Sequence, residues 1–382
     1  MPIYKVSGKS KDGLQKYKVR VNFRSDSGEG KQLTRVVYGS ELAKDTERQL
    51  EEEIRNKHIS EVLISKMTVQ KLFDEYTEIK QYEVRETTLD KIKRNFECYI
   101  LPTFKNVRID NITVNLLQTW KITLEKKGLS LNSKKQAFSD FRAMINYAIK
   151  MEYLHKNPLT KIGNFKDNSS VTQEMNFYTS QDFSLFIKAA KEIVTAKQAE
   201  NNYLSEWDYY VFFNIAFYTG LRKGEIHALK WSDIDGSYLS VKRSISQRLK
   251  GGDRETLPKN KSSIRTLQMP LPLIAVLNEH KERQKQLHNF SDDYRICGGE
   301  RSLRNTSIQR RNELYATTSG LKVIRIHDFR HSHVSILAYE GINIQEIARR
   351  LGHSRIEITW NTYSHLYPQE EERAVDILNK IA

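Results

Sequence analysis

The chain has 382 residues, of which 38% are apolar and 10% aromatic; this is too long for one hydrophobic core and too apolar for global disorder, so two or three folded domains are expected. A net charge of +15, a pI near 9.5 and a mean hydropathy of −0.63 indicate a basic, polar surface that suits a polyanionic partner, although charge can also serve solubility alone. The two cysteines are isolated and no long apolar run occurs, which argues against a disulfide framework, a thiolate metal site, secretion and membrane insertion, and favours the cytosol.

Residues 1–60 are predicted to form a small sheet followed by a helix. The segments 3–6, 17–23 and 33–38 are β-branched or aromatic and are separated by turns at Gly13 and residues 26–30, which indicates a three-stranded antiparallel sheet. A helix is predicted from Ser40 to about residue 57, and its expected apolar stripe consists of Leu42, Thr46, Leu50 and Ile54.

Alternation along the second predicted strand separates two faces of this sheet. One face carries Lys16, Lys18, Arg20 and Asn22, and the other carries Tyr17, Val19 and Val21. The polar face suits a DNA groove, and an ordinary solvated sheet face is an equally good interpretation.

Residues 66–162 are predicted to form a helical bundle. Thr68 can cap a helix that carries Val69, Leu72, Phe73 and Tyr76, and further helical patterns span 88–99, 113–127 and 130–151. The basic residues Lys91, Lys93, Arg94, Lys126, Lys127, Lys134 and Lys135 are candidates for contacts to a duplex backbone, although exposed helix faces are often basic without such a role. A flexible linker is predicted over 163–174.

Residues 175–382 are predicted to form a third, mainly α domain. Its helices are expected at 180–197, 206–218 and 221–230 and again from Leu271, with strands at 238–246 and 265–269 between them. The expected fold class is therefore α+β and mainly α: a small N-terminal three-stranded sheet plus helix, a helical bundle, and a mainly α third domain with a β-hairpin sheet.

Four short motifs in the C-terminal half carry the chemistry. They are YTGLRKGEI at 218–226, PKNKSSIR at 258–265, HDFRHSH at 327–333, and LGHS at 351–354 followed by NTYS at 361–364. In this order and spacing the chain resembles the tyrosine recombinase (phage integrase) family, and its three-domain layout is similar to integrases of phages and conjugative transposons. The resemblance covers the C-terminal half by motif and the N-terminal half by layout only. It implies an arm-type DNA-binding domain at 1–60, a helical core-binding (SAM-like) domain at 66–162 and a tyrosine recombinase catalytic domain at 175–382.

The arginines of these motifs suit phosphate chemistry. Attack on a phosphodiester gathers negative charge on the non-bridging oxygens, which the planar guanidinium groups of Arg222 and Arg330 can bind at two points. Glu225 is expected to orient Arg222, and Asp328 is expected to do the same beside Arg330. Both are expected to support the site and not to catalyse, because a further carboxylate would repel the phosphate.

The resemblance also implies roles for two histidines. His327 stands three residues before Arg330, so both side chains are expected on one helix face. It can accept the tyrosine proton or hydrogen-bond the scissile phosphate, and the sequence leaves both roles open. His353 follows the helix-ending pair Leu351-Gly352, and the family's residue at that position hydrogen-bonds the phosphate.

Tyr363 is the expected nucleophile. Its phenol is a better leaving group than an alkyl alcohol, and a phosphotyrosyl ester keeps the energy of the broken bond, so rejoining needs neither ATP nor metal and no cofactor is expected. Ser354 is a candidate cap for its helix, with Ile356, Thr359 and Trp360 as the packing face. The family places the general acid on a β-turn, where Lys259 is the best match and Lys261 competes with it.

Other interpretations of these residues remain open. His327, His331, His333 and His353 contain a helical i,i+4 pair that also occurs in zinc sites, but no cysteine ligand and no H-E-x-x-H motif accompanies them. A type IB topoisomerase uses much the same residues. A DNA-binding regulator without catalysis is a third alternative, since residues 343–354 resemble a short helix-turn.

The expected partners follow from the resemblance. They are double-stranded DNA attachment sites and, in a homotetramer on two synapsed sites, further copies of the chain; whether an excisionase or a host DNA-bending protein takes part is left open. The apolar residues Ala374, Val375, Ile377, Leu378 and Ile381 form a C-terminal stripe that is expected to pack in its own domain or against a neighbour.

Overall fold

The protein is described by a computed structural model that covers residues 3–10, 13–24, 30–65, 67–166, 175–201, 205–247, 252–256, 261–367, 375 and 378–379. The chain divides into two compact units, Met1–Ser169 and Ser170–Ala382. The domain boundaries at residues 60, 66, 162 and 175 stay predictions, and part of the predicted linker lies outside the described residues.

The first unit begins with an antiparallel sheet in the order β1-β2-β3, followed by a helix. The elements are β1 (Ile3–Lys9), β2 (Gln15–Arg24), β3 (Gly30–Tyr38) and α1 (Ser40–Ser65). Val19 lies opposite Ile3 and Arg35 in the two strand pairs and is buried against α1, together with Ala43 and Leu50. The partition of β2 into a polar and a packing face is therefore as predicted.

The predicted stripe of α1 is wrong in one position. Leu42 is 54% exposed, whereas Ala43, Thr46 and Leu50 are buried. Positions 43, 46 and 50 follow the helical repeat on the side that faces the sheet, and residue 42 lies about 100° around the helix from residue 43. The helix also continues beyond the predicted residue 57.

The rest of the first unit is the predicted helical bundle. Its helices are α2 (Val69–Glu83), α3 (Glu86–Asn95), α4 (Leu101–Phe104), α5 (Val114–Lys126), α6 (Leu131–Lys150) and α7 (Leu159–Ile162), with a π-helical turn between α3 and α4. The hydroxyls of Thr68, Thr113 and Ser130 accept hydrogen bonds from the first turns of α2, α5 and α6. Trp120 lies at the centre of the core and donates its indole N–H to the Tyr99 carbonyl at 2.6 Å.

The second unit surrounds a helix that is apolar on all sides. Its helices are α8 (Ser180–Asn201), α9 (Glu206–Thr219), α10 (Lys223–Ala228), α11 (Leu271–Gln284), α12 (Asn305–Thr318), α13 (Asp328–Tyr339), α14 (Ile344–Leu351) and α15 (Ile356–Tyr363). Almost every residue of α9 is buried, and Phe213 contacts the rings of Phe186, Tyr315 and Phe329. This aromatic core fixes the end of α9, from which the functional site starts.

Two small antiparallel sheets flank these helices. Their strands are β4 (Ile234–Asp235), β5 (Tyr238–Val241), β6 (Ser244–Ser246), β7 (Arg254–Thr256) and β8 (Arg265–Gln268), arranged as β4-β5-β8 and β6-β7. The predicted fold class, mainly α with small sheets, is confirmed. Among the described residues, no helix is both long and apolar enough to cross a membrane.

Candidate active site

The turn after α9 brings Arg222 to the start of α10. Gly220 ends α9 with φ of +63°, and a Cβ there would lie 2.7 Å from a ring carbon of His333, so both conformation and space require glycine. Arg222 is the N-cap residue of α10, and its backbone N–H donates to Glu225 Oε2 at 3.0 Å. Its Nη1 donates to Glu225 Oε1, also at 3.0 Å, while 40% of its side chain stays exposed.

Glu225 also accepts hydrogen bonds from a second arginine. Arg265, at the start of β8, donates Nη2 to Glu225 Oε2 at 3.0 Å, and both side chains are buried. Burial raises the pKa of Glu225, but Arg265 and Arg222 outweigh this effect and hold the pKa below its usual value. The expectation that Glu225 orients Arg222 therefore agrees with the geometry.

Arg265 connects this carboxylate to the turn that carries His353. Its Nε donates to the Arg350 carbonyl at 2.6 Å and its Nη1 to the Ser263 carbonyl at 3.0 Å. A Cβ at Gly352 would lie 2.8 Å from Arg265 Nη1, so the guanidinium packs directly on the glycine that ends α14.

Arg330 lies deepest in the site. It is 3% exposed, and it donates Nη1 to the Gly220 carbonyl at 2.7 Å and Nη2 to the Leu351 carbonyl at 2.8 Å. Burial and the neighbouring Arg222 lower its pKa, yet a guanidinium stays charged at neutral pH. Its two carbonyl contacts fasten the α9 turn to the α14 turn.

His353 contacts the same guanidinium. Its Nε2 lies 2.8 Å from Arg330 Nη2, and its Nδ1 lies 2.7 Å from the Thr359 hydroxyl. Because a guanidinium has only donors, His353 Nε2 is the acceptor and Nδ1 carries the proton. Burial and Arg330 lower the pKa of His353 to about 4, so the imidazole is neutral at physiological pH.

Tyr363 is the last residue of α15 and is 3% exposed. It packs against Val334, Ile347 and Leu351, and its hydroxyl lies 2.5 Å from Nδ1 of His331. Burial raises the pKa of Tyr363 to about 12, so the phenol is protonated at rest.

Sequence comparisons identify the family. The model of the phage integrase family matches residues 185–370, and that of the phage integrase N-terminal SAM-like domain matches residues 68–124. The ICEBs1 integrase of Bacillus subtilis (strain 168) is 30% identical over 290 residues, which cover 74% of this chain and 75% of that protein. The chain belongs to the phage integrase family.

Solved structures of integrases share the fold of this family member. The Tn1549 transposon integrase in complex with a circular intermediate DNA covers 83% of this chain and all of its own, with a TM-score of 0.64 and 19% identity. A lambda integrase tetramer bound to a Holliday junction covers 93% of this chain and 96% of its own, with a TM-score of 0.54 and 16% identity. The predicted site-specific tyrosine recombinase is confirmed, and the comparisons support neither the topoisomerase nor the binding-only alternative.

The recombinase brings most of the predicted site residues together. Arg222, Arg330 and His353 meet around the turns after α9 and α14, and Tyr363 adjoins them through His331. His327 is the N-cap residue of α13 and is exposed. Lys259 lies outside the described residues, as does the Lys261 side chain, so the choice of general acid stays a prediction.

Two supporting contacts differ from the predictions. Asp328 accepts hydrogen bonds from the backbone N–H and the guanidinium of Arg325, not from Arg330, because its carboxylate points back toward the residues that precede α13. Ser354 does not cap α15; Arg355 is the N-cap residue, without a side-chain hydrogen bond.

The packing face of α15 also differs from the prediction. Ile356 and Trp360 are 42% and 52% exposed, whereas Thr359 and Tyr363 are buried. Thr359 and Tyr363 are four residues apart and lie on one stripe, so the nucleophile itself belongs to the packing face.

The histidines of α13 and its surroundings have partners other than a metal. His333 is buried with Nδ1 2.9 Å from the Phe217 carbonyl, and burial lowers its pKa to about 3. His331 contacts Tyr363, and His353 contacts Arg330. Within the described ranges, no group of three or more histidine, cysteine, aspartate or glutamate side chains is placed to hold a metal ion.

Two site residues were missed by sequence reasoning. In the sequence Arg265 stands only at the end of a motif, but the alternation of β8 places it on the same buried face as Leu267, and this alternation is a usable signal. His331 was considered only as a zinc ligand. Its position four residues before the buried Ser335 puts it on an inward stripe of α13, but its contact with Tyr363 depends on where α15 packs.

Proposed function

We propose that this recombinase cuts and rejoins double-stranded DNA at attachment sites of a mobile element, with Tyr363 as the nucleophile. The observation that carries the proposal is a surplus of positive charge near the nucleophile, with Arg265 and Arg330 buried and Arg222 partly exposed. Arg222, Arg265 and Arg330 interact with one carboxylate, that of Glu225. Three cations against one anion are costly in a buried site until a further anion enters, and a DNA phosphate is the anion of the right kind.

In this proposal Arg222 and Arg330 bind the non-bridging oxygens of the scissile phosphate. The exposed part of Arg222 is available to a ligand, while Glu225 holds the other part of the side chain. Arg330 is held by backbone carbonyls, which do not neutralise its charge. The charge that develops in the transition state thus meets guanidinium groups that are already in position, so little reorganisation is needed.

The two family histidines then take different positions around the phosphate. In the free protein His353 is neutral, and its Nε2 accepts a hydrogen bond from Arg330. Nε2 can donate to the phosphate only after it gains a proton. An entering anion favours this protonation because it stabilises the charged imidazolium. His327 is exposed at the start of α13 and is available for a hydrogen bond to the same group.

The reaction proceeds in two steps, cleavage of one strand and rejoining to another. The Tyr363 oxygen gives its proton to a histidine of the site and bonds to phosphorus, the bond to the 5′ oxygen breaks, and Lys259, or Lys261 beside it, protonates that oxygen. The product is a 3′-phosphotyrosyl bond and a free 5′ hydroxyl. Attack by a 5′ hydroxyl from another strand reverses these steps, and because the ester conserves the bond energy no ATP is consumed.

The first unit is proposed to hold the DNA. The outer face of its sheet carries Lys16, Lys18 and Arg20, and the Arg20 guanidinium lies over the Tyr4 ring. The opposite face of the sheet packs against α1. In the bundle, Lys93, Lys126 and Lys127 are exposed. Such lysines gain binding free energy by releasing counterions from phosphates, which makes the affinity fall steeply with salt.

Assembly into a homotetramer on two DNA sites is proposed by analogy with the lambda integrase tetramer on a Holliday junction. In the second unit a groove of about 760 Å³ is lined by apolar side chains, including Phe183, Ile187, Ile336 and Leu337. Val375 and Leu378 of the C-terminal stripe are 45% and 64% exposed. We infer that this stripe packs on a neighbouring protomer; the remaining residues of the stripe lie outside the described part of the chain.

The site of action and the accessory proteins belong to the same proposal. Substrates that are attachment sites place the reaction on the chromosome, in the bacterial cytosol. An excisionase and a host DNA-bending protein are proposed as additional partners that choose between integration and excision.

Covalent trapping tests the proposal. The purified full chain is mixed with sheared DNA from a host that carries the element, denatured in SDS, and scored for protein–DNA adducts. Wild type is expected to form an adduct that Tyr363→Phe does not form, and sequencing the trapped DNA gives the site. Tyr238→Phe, which removes a half-exposed hydroxyl in the same unit, is the matched control and is expected to behave as wild type.

The other outcomes are equally informative. An adduct in Tyr363→Phe would assign the nucleophile to another residue. Demonstrable DNA binding with no adduct in wild type would instead favour a regulator that binds without cutting.

A further inference from the structure

Two histidines of the HDFRHSH motif lie near the nucleophile, and they differ in what they contact. His331 Nδ1 lies 2.5 Å from the Tyr363 hydroxyl oxygen, inside the unit. The His327 ring stands perpendicular to the His331 ring with 5.1 Å between centroids, and it lies at the surface. His327 and Tyr363 are both within the described residues, and no hydrogen bond joins them.

We propose that His331 accepts the proton of Tyr363 during DNA cleavage and returns it during rejoining, which leaves His327 to contact the phosphate. This inference rests on the proposed role of Tyr363 as nucleophile. It assigns to two residues the two roles that the sequence left open for His327 alone.

The geometry supports direct proton transfer. A general base must lie within hydrogen-bond distance of the proton that it takes, and His331 meets this condition in the free protein. The proton moves from the Tyr363 oxygen to His331 Nδ1 while that oxygen bonds to phosphorus, and the 5′ oxygen leaves with a proton from the lysine. In rejoining, Tyr363 is the leaving group and protonated His331 returns the proton to it.

At neutral pH the Tyr363 phenol and the His331 imidazole are both uncharged before DNA binds. Burial raises the pKa of Tyr363 to about 12, and burial lowers the pKa of His331 below its usual 6.5. Transfer before attack is thus strongly unfavourable, whereas a tyrosine oxygen bonded to phosphorus no longer holds its proton. Deprotonation is coupled to attack, so the enzyme does not expose a phenolate when no phosphate is in place.

The groups around His331 set the direction of its pH dependence. Tyr363 faces it from α15, and Arg325, His327, Asp328 and Arg330 are the neighbouring groups on or before its own helix. Burial has the largest effect and lowers its pKa; Asp328 raises it, and Arg325 and Arg330 lower it further. The cleavage rate is expected to fall in acid, below pH 6.5, as His331 gains a proton.

The test uses a duplex that contains the site recovered by trapping, with either the normal phosphate or a 5′-bridging phosphorothiolate at the cut position. The sulfur leaves without a proton, so a missing general acid is rescued and a missing general base is not. His331→Asn keeps an amide where Nδ1 stood and can still hydrogen-bond the phenol, but it cannot take its proton at neutral pH. His288→Gln, at an exposed histidine of the same unit, is the control.

We expect His331→Asn to slow adduct formation about 100-fold on both duplexes, in the range that general bases contribute, while DNA binding is unchanged. The acidic limb of the rate profile should vanish in this variant and persist in His288→Gln. Lys259→Ala or Lys261→Ala should be slow on the normal duplex and fast on the sulfur one.

Three results would overturn the inference. One is a His331→Asn rate within threefold of wild type, and another is rescue of that variant by the sulfur duplex. The third comes from the wild type alone: a rate on the sulfur duplex that does not decrease at any pH below 6.5 at which the protein stays folded. None of these three results would contradict the role of Tyr363 as nucleophile, because covalent trapping with Tyr363→Phe tests that role separately.

Discussion

The Glu225 carboxylate and the Arg265 guanidinium form a buried two-point ion pair, with Nη2 to Oε2 at 3.0 Å and Nη1 to Oε1 at 3.3 Å. The same carboxylate binds Arg222, so one anion holds two motifs that lie forty positions apart in the chain. Its charge is therefore central to the stability of the empty site.

Glu225→Gln is predicted to destabilise the second unit by about 3 kcal/mol, the size expected when a buried pair loses one partner. The amide keeps the shape but removes the negative charge with which all three arginines interact. Urea unfolding measures the loss, and added sulfate should recover more stability in the variant than in wild type. The control Glu346→Gln breaks an exposed pair with Arg349 and should cost under about 1 kcal/mol. Equal losses in the two variants would contradict the assigned role.

Gly220→Ala is predicted to be more damaging than the same change at Gly320. Both glycines have positive φ, +63° and +69°, which costs an alanine about 1–2 kcal/mol. A Cβ at Gly220 also meets His333 at 2.7 Å, whereas one at Gly320 meets nothing within 4 Å. Overpacking should add about 1–3 kcal/mol and shift the carbonyl that holds Arg330. Thermal unfolding and adduct formation check this, and similar effects at both positions would refute the steric argument.

Thr359→Val is predicted to lower both stability and cleavage. The buried hydroxyl accepts the Nδ1 proton of His353, and the valine is of similar size but leaves that donor unsatisfied at a cost of about 1–3 kcal/mol. His353 should then lose its fixed tautomer and slow adduct formation. Thr362→Val on the same helix removes a hydroxyl that donates to the Ile358 carbonyl, and this variant serves as the control. If the two variants cleave DNA equally fast, the His353 contact is not important for the reaction.

The free energy of unfolding is predicted to fall as the pH drops below 6.5. Burial lowers the pKa of His333 to about 3 and that of His227 to about 4, so the unfolded chain binds protons between pH 6.5 and 4 that the folded chain does not. Stability is thus complete above pH 6.5 and declines by up to about 1.4 kcal/mol per pH unit for each such histidine. Urea titrations at several pH values measure the slope.

The same titrations include two variants. His227→Gln should make the slope shallower, and His288→Gln, at an exposed histidine, should leave it unchanged. A wild-type stability that is constant from pH 6.5 to pH 4 would contradict this assignment.

Local signals in the sequence determined the secondary structure and the chemistry. Hydroxyl caps at Thr68, Thr113 and Ser130, the alternation of β2 and the Gly220 turn act over a few residues, so their structural consequences were predictable. The motif spacing likewise pointed to the family and to its tyrosine.

Only the tertiary structure decided which groups touch. Arg265 and Glu225 are forty positions apart, and His331 and Tyr363 are thirty-two apart, so their contacts depend on how β8, α13 and α15 pack. Helix α15 shows the reason. Its sequence alone predicts that Trp360 is buried, but the buried face contains Thr359 and Tyr363 because that face packs against α13 and α14. Helical periodicity gives the spacing of a buried face, whereas the neighbouring elements decide which face is buried.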